Sequence, residues 1–491
     1  MIFGLVKGFL SNQTFFSVLF FLIASILTIV SFQNFEPILV SLFFLLIGIL
    51  LIFLKNIITN GKNIDFSYFF FIFSAMYTAV GIGAFFYSYL GDKVNLVDAL
   101  YFYDMSVSSD FKGDTPAEIR TFTEGSLVLF IWIKIYDFFN SFFFEKEIYI
   151  GLLSNAFCIA LSGIVAISSS RLLYGQDSFK EALLIFLISF NGIFLLFSGV
   201  YLRDAYIILA LAIIYHSWIK YFTSPSFLTL IYLFLINFSF TFILPYMRFE
   251  YGLIPIFLTL LALTLILLFK NTDETKNPKR GYIAFFLFIF SLAGYYYYSE
   301  IFLNIFALSD GVEYISATDL LTSGREGYQE GTQGEAAANS FGLFLTNLPI
   351  YLQVFLMPLY MIFFPMPFWG GFESGSAYGF FKSINVLQMY IFIPLLILST
   401  WQLIKRKVET NLGIMFNHSV FYVFLMAVAL TSGEGRHLGG FWIPAYLAAL
   451  SLDFNNLEIK SSYASIFNVL MFLILGAHLL WLILKIIVLV I

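Results

Sequence analysis

Residues 37–54 read PILVSLFFLLIGILLIFL, eighteen positions without a charged side chain. As an α-helix this run rises about 27 Å at about 1.5 Å per residue. That nearly matches the roughly 30 Å hydrocarbon core of a bilayer. The flanks agree with a span, since Glu36 precedes it and Lys55 follows it. Working outward, comparable runs lie near 15–33, 67–90, 148–170, 182–202, 205–222, 225–247, 251–269, 281–299, 383–404, 412–432, 439–452 and 465–490. The sequence therefore predicts an all-α, polytopic transmembrane protein of about 13 spans. Two softer stretches are predicted to be re-entrant or interfacial: 126–144 carries Lys134 and Asp137, and 343–364 is interrupted by Pro349 and Pro358.

Composition supports this reading. Of 491 residues 60% are hydrophobic and only 11% charged, against roughly 25% charged in a soluble chain. The single cysteine, Cys158, leaves no disulfide framework and no thiolate metal site, so no metal is expected. A net charge of −5 in scattered loops gives no basic face for nucleic acid. Gly81-Ile82-Gly83 and Gly433-Glu434-Gly435 lack the lysine of a phosphate-binding loop. The first run reads as a retained span, and the 1–491 chain as one integral domain without internal repeats.

Lysine and arginine concentrate in loops that stay cytoplasmic, which places Lys55, Lys62, residues 270–280 and Lys405-Arg406-Lys407 inside. Two acidic loops fall outside: 91–125, with seven acids against Lys93, Lys112 and Arg120, and 300–345, with seven acids against Arg325. All these anchors agree only if 126–170 crosses the bilayer once and 343–382 returns to the side it left. Three charged turns then share the outer side. They are Arg203-Asp204, Arg248-Phe249-Glu250 and Glu434-Gly435-Arg436-His437.

Ionisable groups at span ends need water or a partner, and each turn alone admits a plain reading as an interfacial arginine or a capping acid. Together, three arginines suit a phosphate or diphosphate, which a guanidinium fork binds bidentately. His437, Glu434 and Asp204 are candidates to deprotonate an acceptor hydroxyl. Asp98 and Asp104, six apart in a segment predicted to lie on the surface, do not share a helical face. Arg120, Arg325, Glu250 and Tyr101 complete the candidate binding set. Tyr101, Tyr103, Trp369 and Trp442 are candidates to stack on sugar rings, and the Gly-rich stretch around Arg325 makes 300–345 lid-like.

With an acidic first external loop, Leu202-Arg203-Asp204-Ala205 opening a span, Arg248 ending another and Arg436-His437-Leu438-Gly439-Gly440-Phe441-Trp442-Ile443-Pro444 entering a third, the chain resembles Wzy-type O-antigen and exopolysaccharide polymerases. More distantly it resembles C-type glycosyltransferases, which use polyprenyl-phosphate sugars. The first resemblance implies a bacterial inner-membrane enzyme with a periplasmic site. Such an enzyme joins undecaprenyl-diphosphate-linked oligosaccharides without a cofactor, alongside a chain-length regulator and a ligase or flippase. Arg203, Arg248 and Arg436 would hold the diphosphates. The second resemblance would make Asp98 or Asp104 the base, with a divalent metal. A transporter or flippase for lipid-linked glycans is the alternative of another class, and it would carry charges at mid-span.

Overall fold

In the computed structural model, residues 2–59, 64–89, 97–107, 126–268, 348–365, 367–405, 411–430 and 435–490 are described. The predicted span 281–299, the loop 300–345 with Arg325, and Arg120 and Glu434 lie outside them, as do the side chains of Asp98, Tyr101 and Glu250. The described residues are helices joined by short turns. The first group is α1 (Ile2–Phe32), α2 (Glu36–Thr59), α3 (Ile64–Tyr89), α4 (Val97–Val107), α5 (Ser126–Asn140) and α6 (Ile148–Tyr174). There follow α7 (Ser178–Ser189), α8 (Gly192–Gly199), α9 (Asp204–Thr223), α10 (Phe227–Met247) and α11 (Ile254–Leu268). The last are α12 (Ile350–Phe363), α13 (Ala377–Ile404), α14 (Leu412–Leu430), α15 (Trp442–Ala449) and α16 (Leu457–Val490).

Ten of these helices are long and apolar enough to cross a membrane, and α7 with α8 makes an eleventh crossing, bent by 50°. The count of 13 is not reached among the described residues, for two reasons. The 281–299 span lies outside them, and 439–452 is no ordinary span. That stretch is a 3-10 turn, Gly435–Phe441, running into the eight-residue α15. At about 2.0 and 1.5 Å per residue these two pieces together rise roughly 26 Å. Every residue of α15 is buried in protein, which is where short and irregular backbone is tolerated at membrane depth.

Burial sorts the bundle into layers. The apolar window of α6 is 83% buried, whereas those of α1 and α16 are 22% and 17% buried, leaving Ile26, Phe472 and Leu473 facing outward. Such apolar outer surfaces suit lipid as solvent. Close packing inside depends on glycine at one crossing in particular, because a Cβ on Gly83 of α3 would overlap the Gly199 carbonyl at the end of α8. Gly81-Ile82-Gly83 is therefore a helix-packing surface.

Polar contacts fix which helix ends lie together. At one end, Tyr149 donates to Glu36 Oε2 at 2.6 Å, and Tyr103 of α4 donates to the Lys146 carbonyl at 3.0 Å. The Ser106 and Tyr201 hydroxyls meet there at 2.9 Å. At the other end, Asp65 takes Lys55 Nζ at 2.8 Å and Arg171 Nη1 at 2.7 Å, while the same arginine grips Glu181 through Nε and Nη2 at 2.8 and 2.9 Å. The segment from α4 to the start of α6 thus begins and finishes at one end of the bundle. Within 126–174 only α6 runs end to end, and α5 sits beside the start of α6.

The α7–α8 break is held by side chains. Asn191 caps α8 by accepting from Phe194 N at 2.9 Å and donates to the Tyr446 hydroxyl. Tyr446 in turn donates to Gln388 Oε1 at 3.3 Å, and the Gln388 amide donates to the Leu187 carbonyl. Backbone groups at a helix break need partners of this kind in a dry interior.

Candidate functional site

Asp204 is the first residue of α9 and Arg248 follows the last residue of α10. These two helices pack as an antiparallel pair, so the ends meet. Arg248 Nη1 lies 3.3 Å from Asp204 Oδ1, and both side chains are largely buried, at 17% and 11% exposure. The other arm of the same fork, Nη2, lies 3.3 Å from His437 Nε2 in the 3-10 turn before α15. A guanidinium only donates, so Nε2 is the acceptor, and the neutral ring then carries its proton on Nδ1. Tyr251 completes the set. Its ring lies 5.7 Å from the Arg248 guanidinium carbon, within cation–π range, and its hydroxyl donates to the His437 carbonyl at 3.3 Å.

Arg203 immediately precedes Asp204, and its guanidinium lies 5.1 Å from the Phe102 ring of α4. The helix α4 is thereby brought against the cluster. Buried Asn155 pins this turn from α6, its amide donating to the carbonyls of Phe197 at 3.1 Å and Leu202 at 2.8 Å. Trp132 of α5 packs 4.2 Å from Tyr201 and 6.0 Å from Tyr206, walling the same region. Arg436 is half-buried beside His437.

Four sequence segments separated by long stretches of chain therefore converge at one end of the bundle: 97–107, 203–204, 248–251 and 436–437. Asp104 is exposed on α4. Among the described residues no three His, Cys, Asp or Glu side chains are grouped as metal ligands would be. Trp442 is 0% exposed and packs on Phe421, Phe392 and Tyr446. It is a core residue, which corrects its expected role in stacking on a sugar, because the predicted span entry turns inward at Phe441. Trp369 and Tyr103 remain partly exposed.

Asn155, Tyr201 and Tyr251 were not singled out by sequence reasoning, although an asparagine within the apolar run 148–170 was a visible signal. The Lys55–Asp65–Arg171–Glu181 network was also missed. It lies at the opposite end from Arg248, and its charges are matched to one another, so it reads as a clamp on α2, α3, α6 and α7.

Together the fold and the cluster define an all-α, multi-pass membrane protein with a part-buried arginine, aspartate and histidine site at one end of its bundle. No protein-family model matches the chain, and no curated protein is significantly similar to it.

Proposed function

We propose that the chain is an integral-membrane glycosyltransferase of the polysaccharide-polymerase type, joining undecaprenyl-diphosphate-linked oligosaccharide units on the periplasmic face of a bacterial inner membrane. The observation that carries this reading is the Arg248 fork, which links Asp204 to His437, the sequence neighbours of Arg203 and Arg436. Guanidinium groups bind diphosphate oxygens bidentately and stabilise the charge that grows as such a group leaves. In this reaction an acceptor hydroxyl attacks the anomeric carbon. The bond from that carbon to the diphosphate oxygen breaks, the diphosphate leaves with the electron pair, and the hydroxyl proton passes to a base. His437 is the favoured base, since Nε2 is released once Arg248 turns to a phosphate; Asp204 and Glu434 are the alternatives.

Depth supports an enzyme over a flippase. The described charges of the cluster sit at helix ends, and the interiors of α6, α9 and α13 hold only Arg171, Lys220 and Lys382, each near an end. Among the described residues, the broken α7–α8 pair is the feature that favours transport. The cations Lys55, Arg171, Lys180, Lys220 and Lys405 gather at the opposite end, which supports a cytoplasmic orientation of that end under the positive-inside rule. The expected partners are the lipid-linked oligosaccharide, membrane lipids, and a chain-length regulator with a ligase or flippase.

The deciding experiment supplies purified protein with defined undecaprenyl-diphosphate repeat units and no nucleotide sugar. A ladder of longer products is expected, and its absence from protein shown to be folded sinks the polymerase reading. Labelling of cysteines at Ser323 from outside and at Asn277 from inside tests the orientation separately.

A further inference from the structure

Lys134 and Asp137 interrupt the apolar sequence of α5, and the Arg248 cluster uses neither. Asp137 is engaged, since Lys146 Nζ lies 2.9 Å from its Oδ1. Lys134 is exposed, forms no ion pair among the described residues, and holds its ammonium 5.4 Å from the Phe130 ring. Beside it a groove of about 410 Å³ runs between α5 and α2, and its lining is Phe and Ile except for Lys134. A cation on such a wall calls for a partner.

The groove lies at membrane depth and on the far side of α5 from the charged cluster. Phe43 and Ile47, which line it from α2, stand about 10 and 16 Å along that helix from Glu36. A hydrocarbon core of roughly 30 Å spans those depths. Phe130 and Phe138, 41% and 42% exposed, lie four residues either side of Lys134 and so share its face of α5. Trp132, two residues away and about 200° round the helix, packs instead on Tyr201 at 4.2 Å. The body of α5 therefore separates an occupant of the groove from the Arg203 turn.

Charge and hydrocarbon together select the occupant. A second copy packed symmetrically through this face would meet the same lining, which holds no carboxylate for Lys134. A phospholipid meets both needs, with a hydrocarbon chain for the wall and a phosphate for an ammonium whose stem lies along apolar surface. The lining also offers no acid to the ammonium of a zwitterionic headgroup, which favours a headgroup of net negative charge. We propose that the α2–α5 groove seats one anionic phospholipid of the adjoining leaflet, with a chain against Phe43, Phe130 and Phe138 and its phosphate on Lys134. From Phe130 to Phe138 the helix rises about 12 Å, most of the half-thickness that the chains of one leaflet fill. This seat stands on its own lining and does not rest on the glycosyltransferase reading.

The test is native mass spectrometry of the full chain in a non-ionic detergent, titrated with dioleoyl phosphatidylglycerol or with dioleoyl phosphatidylcholine. One phosphatidylglycerol is expected to bind more tightly than the phosphatidylcholine that carries the same chains. Lys134→Gln should reduce that preference about fivefold, the scale of one lysine against an anionic lipid. Lys405→Gln, at the opposite end of the bundle, should leave it unchanged. Ile47→Trp should weaken both lipids by filling the groove. Should Ile47→Trp fail to fold, the two lysine variants decide alone. The inference is overturned by equal binding of the two lipids, or by a preference that survives Lys134→Gln or falls as far with Lys405→Gln. Displacement of the lipid by inorganic phosphate, by undecaprenyl phosphate at lower concentration, or by a dimer that excludes it overturns the inference equally.

Discussion

Arg248 Nη2 lies 3.3 Å from His437 Nε2 although 189 residues separate them, and the same guanidinium reaches Asp204 at 3.3 Å through its other arm. One planar fork thus ties α9, α10 and the 3-10 turn before α15. A lysine offers a point charge and cannot span both partners. Arg248→Lys is therefore expected to lower product formation at least about a hundredfold, the scale of losing a donor to developing charge. Arg248→Ala should lose as much and also lower Tm, because Asp204 stays buried without its ion pair. Adding Asp204→Asn to Arg248→Gln should recover Tm without recovering activity. A double variant that makes the ladder at the wild-type rate would move the site elsewhere.

At the opposite end, Arg171 serves two carboxylates that are almost wholly buried, Asp65 at 1% and Glu181 at 5% exposure. Removing it leaves Asp65 with Lys55 and takes the ion pair from Glu181. Arg171→Met should then destabilise by about 3–5 kcal/mol, the range for breaking a buried ion pair on one side. The triple change Arg171→Met, Asp65→Asn, Glu181→Gln removes the uncompensated charge and should regain most of the loss. Thermal melts of the detergent-solubilised protein read both effects. If the single variant melts with the wild type, the network carries no stability.

Most of the membrane-crossing architecture was legible because charge is absent from the spans, as in 37–54, and a missing charge can be read residue by residue. The α7–α8 break was hidden because 182–202 carries no charged side chain, and Asn191 shows its role only once Tyr446 and Gln388 face it. Residues 439–452 passed as a span by hydropathy. Gly439 and Gly440 in fact let Phe197 and Leu211 pack against the backbone, and Pro444 lies in the first turn of α15. The charged turns of the site were visible as interruptions of apolar sequence. Their pairing was not, since no periodicity links Arg248 to His437. Arg171, Asp65 and Glu181 looked like ordinary span-end charges, and only the antiparallel packing of α3 and α6 reveals them as partners.

The break itself makes a stability prediction. Gln388 donates to the Leu187 carbonyl, a group at the end of α7 that sits in protein at membrane depth. Gln388→Leu keeps much of the volume but removes this donor and the acceptor used by Tyr446. A buried polar group left unsatisfied costs about 1–3 kcal/mol, so a lower Tm of that order is expected. Gln388→Glu should be worse, because it adds a buried charge and replaces the donor. A melt of Gln388→Leu unchanged from wild type would show that the network is not holding the bend.

Glu147, just ahead of α6, has its carboxyl pushed above the ordinary range, chiefly by burial and then by the neighbouring charges of Glu145 and Glu36, with the Ile148 N–H opposing. Around it, Glu36 accepts from Tyr149, and Lys146 is engaged with Asp137 at 2.9 Å. A raised pKa in the folded state means that the fold binds more protons than the unfolded chain between the ordinary carboxylate pKa and the raised value. Stability from this group is therefore greatest at low pH and falls as pH rises through that window. Glu147→Gln mimics the protonated form. It is expected to raise Tm at about pH 7 and to match the wild type near about pH 4. Melts of the two proteins across that range should diverge as pH rises, and curves that stay parallel would mean Glu147 carries its charge in the fold without penalty.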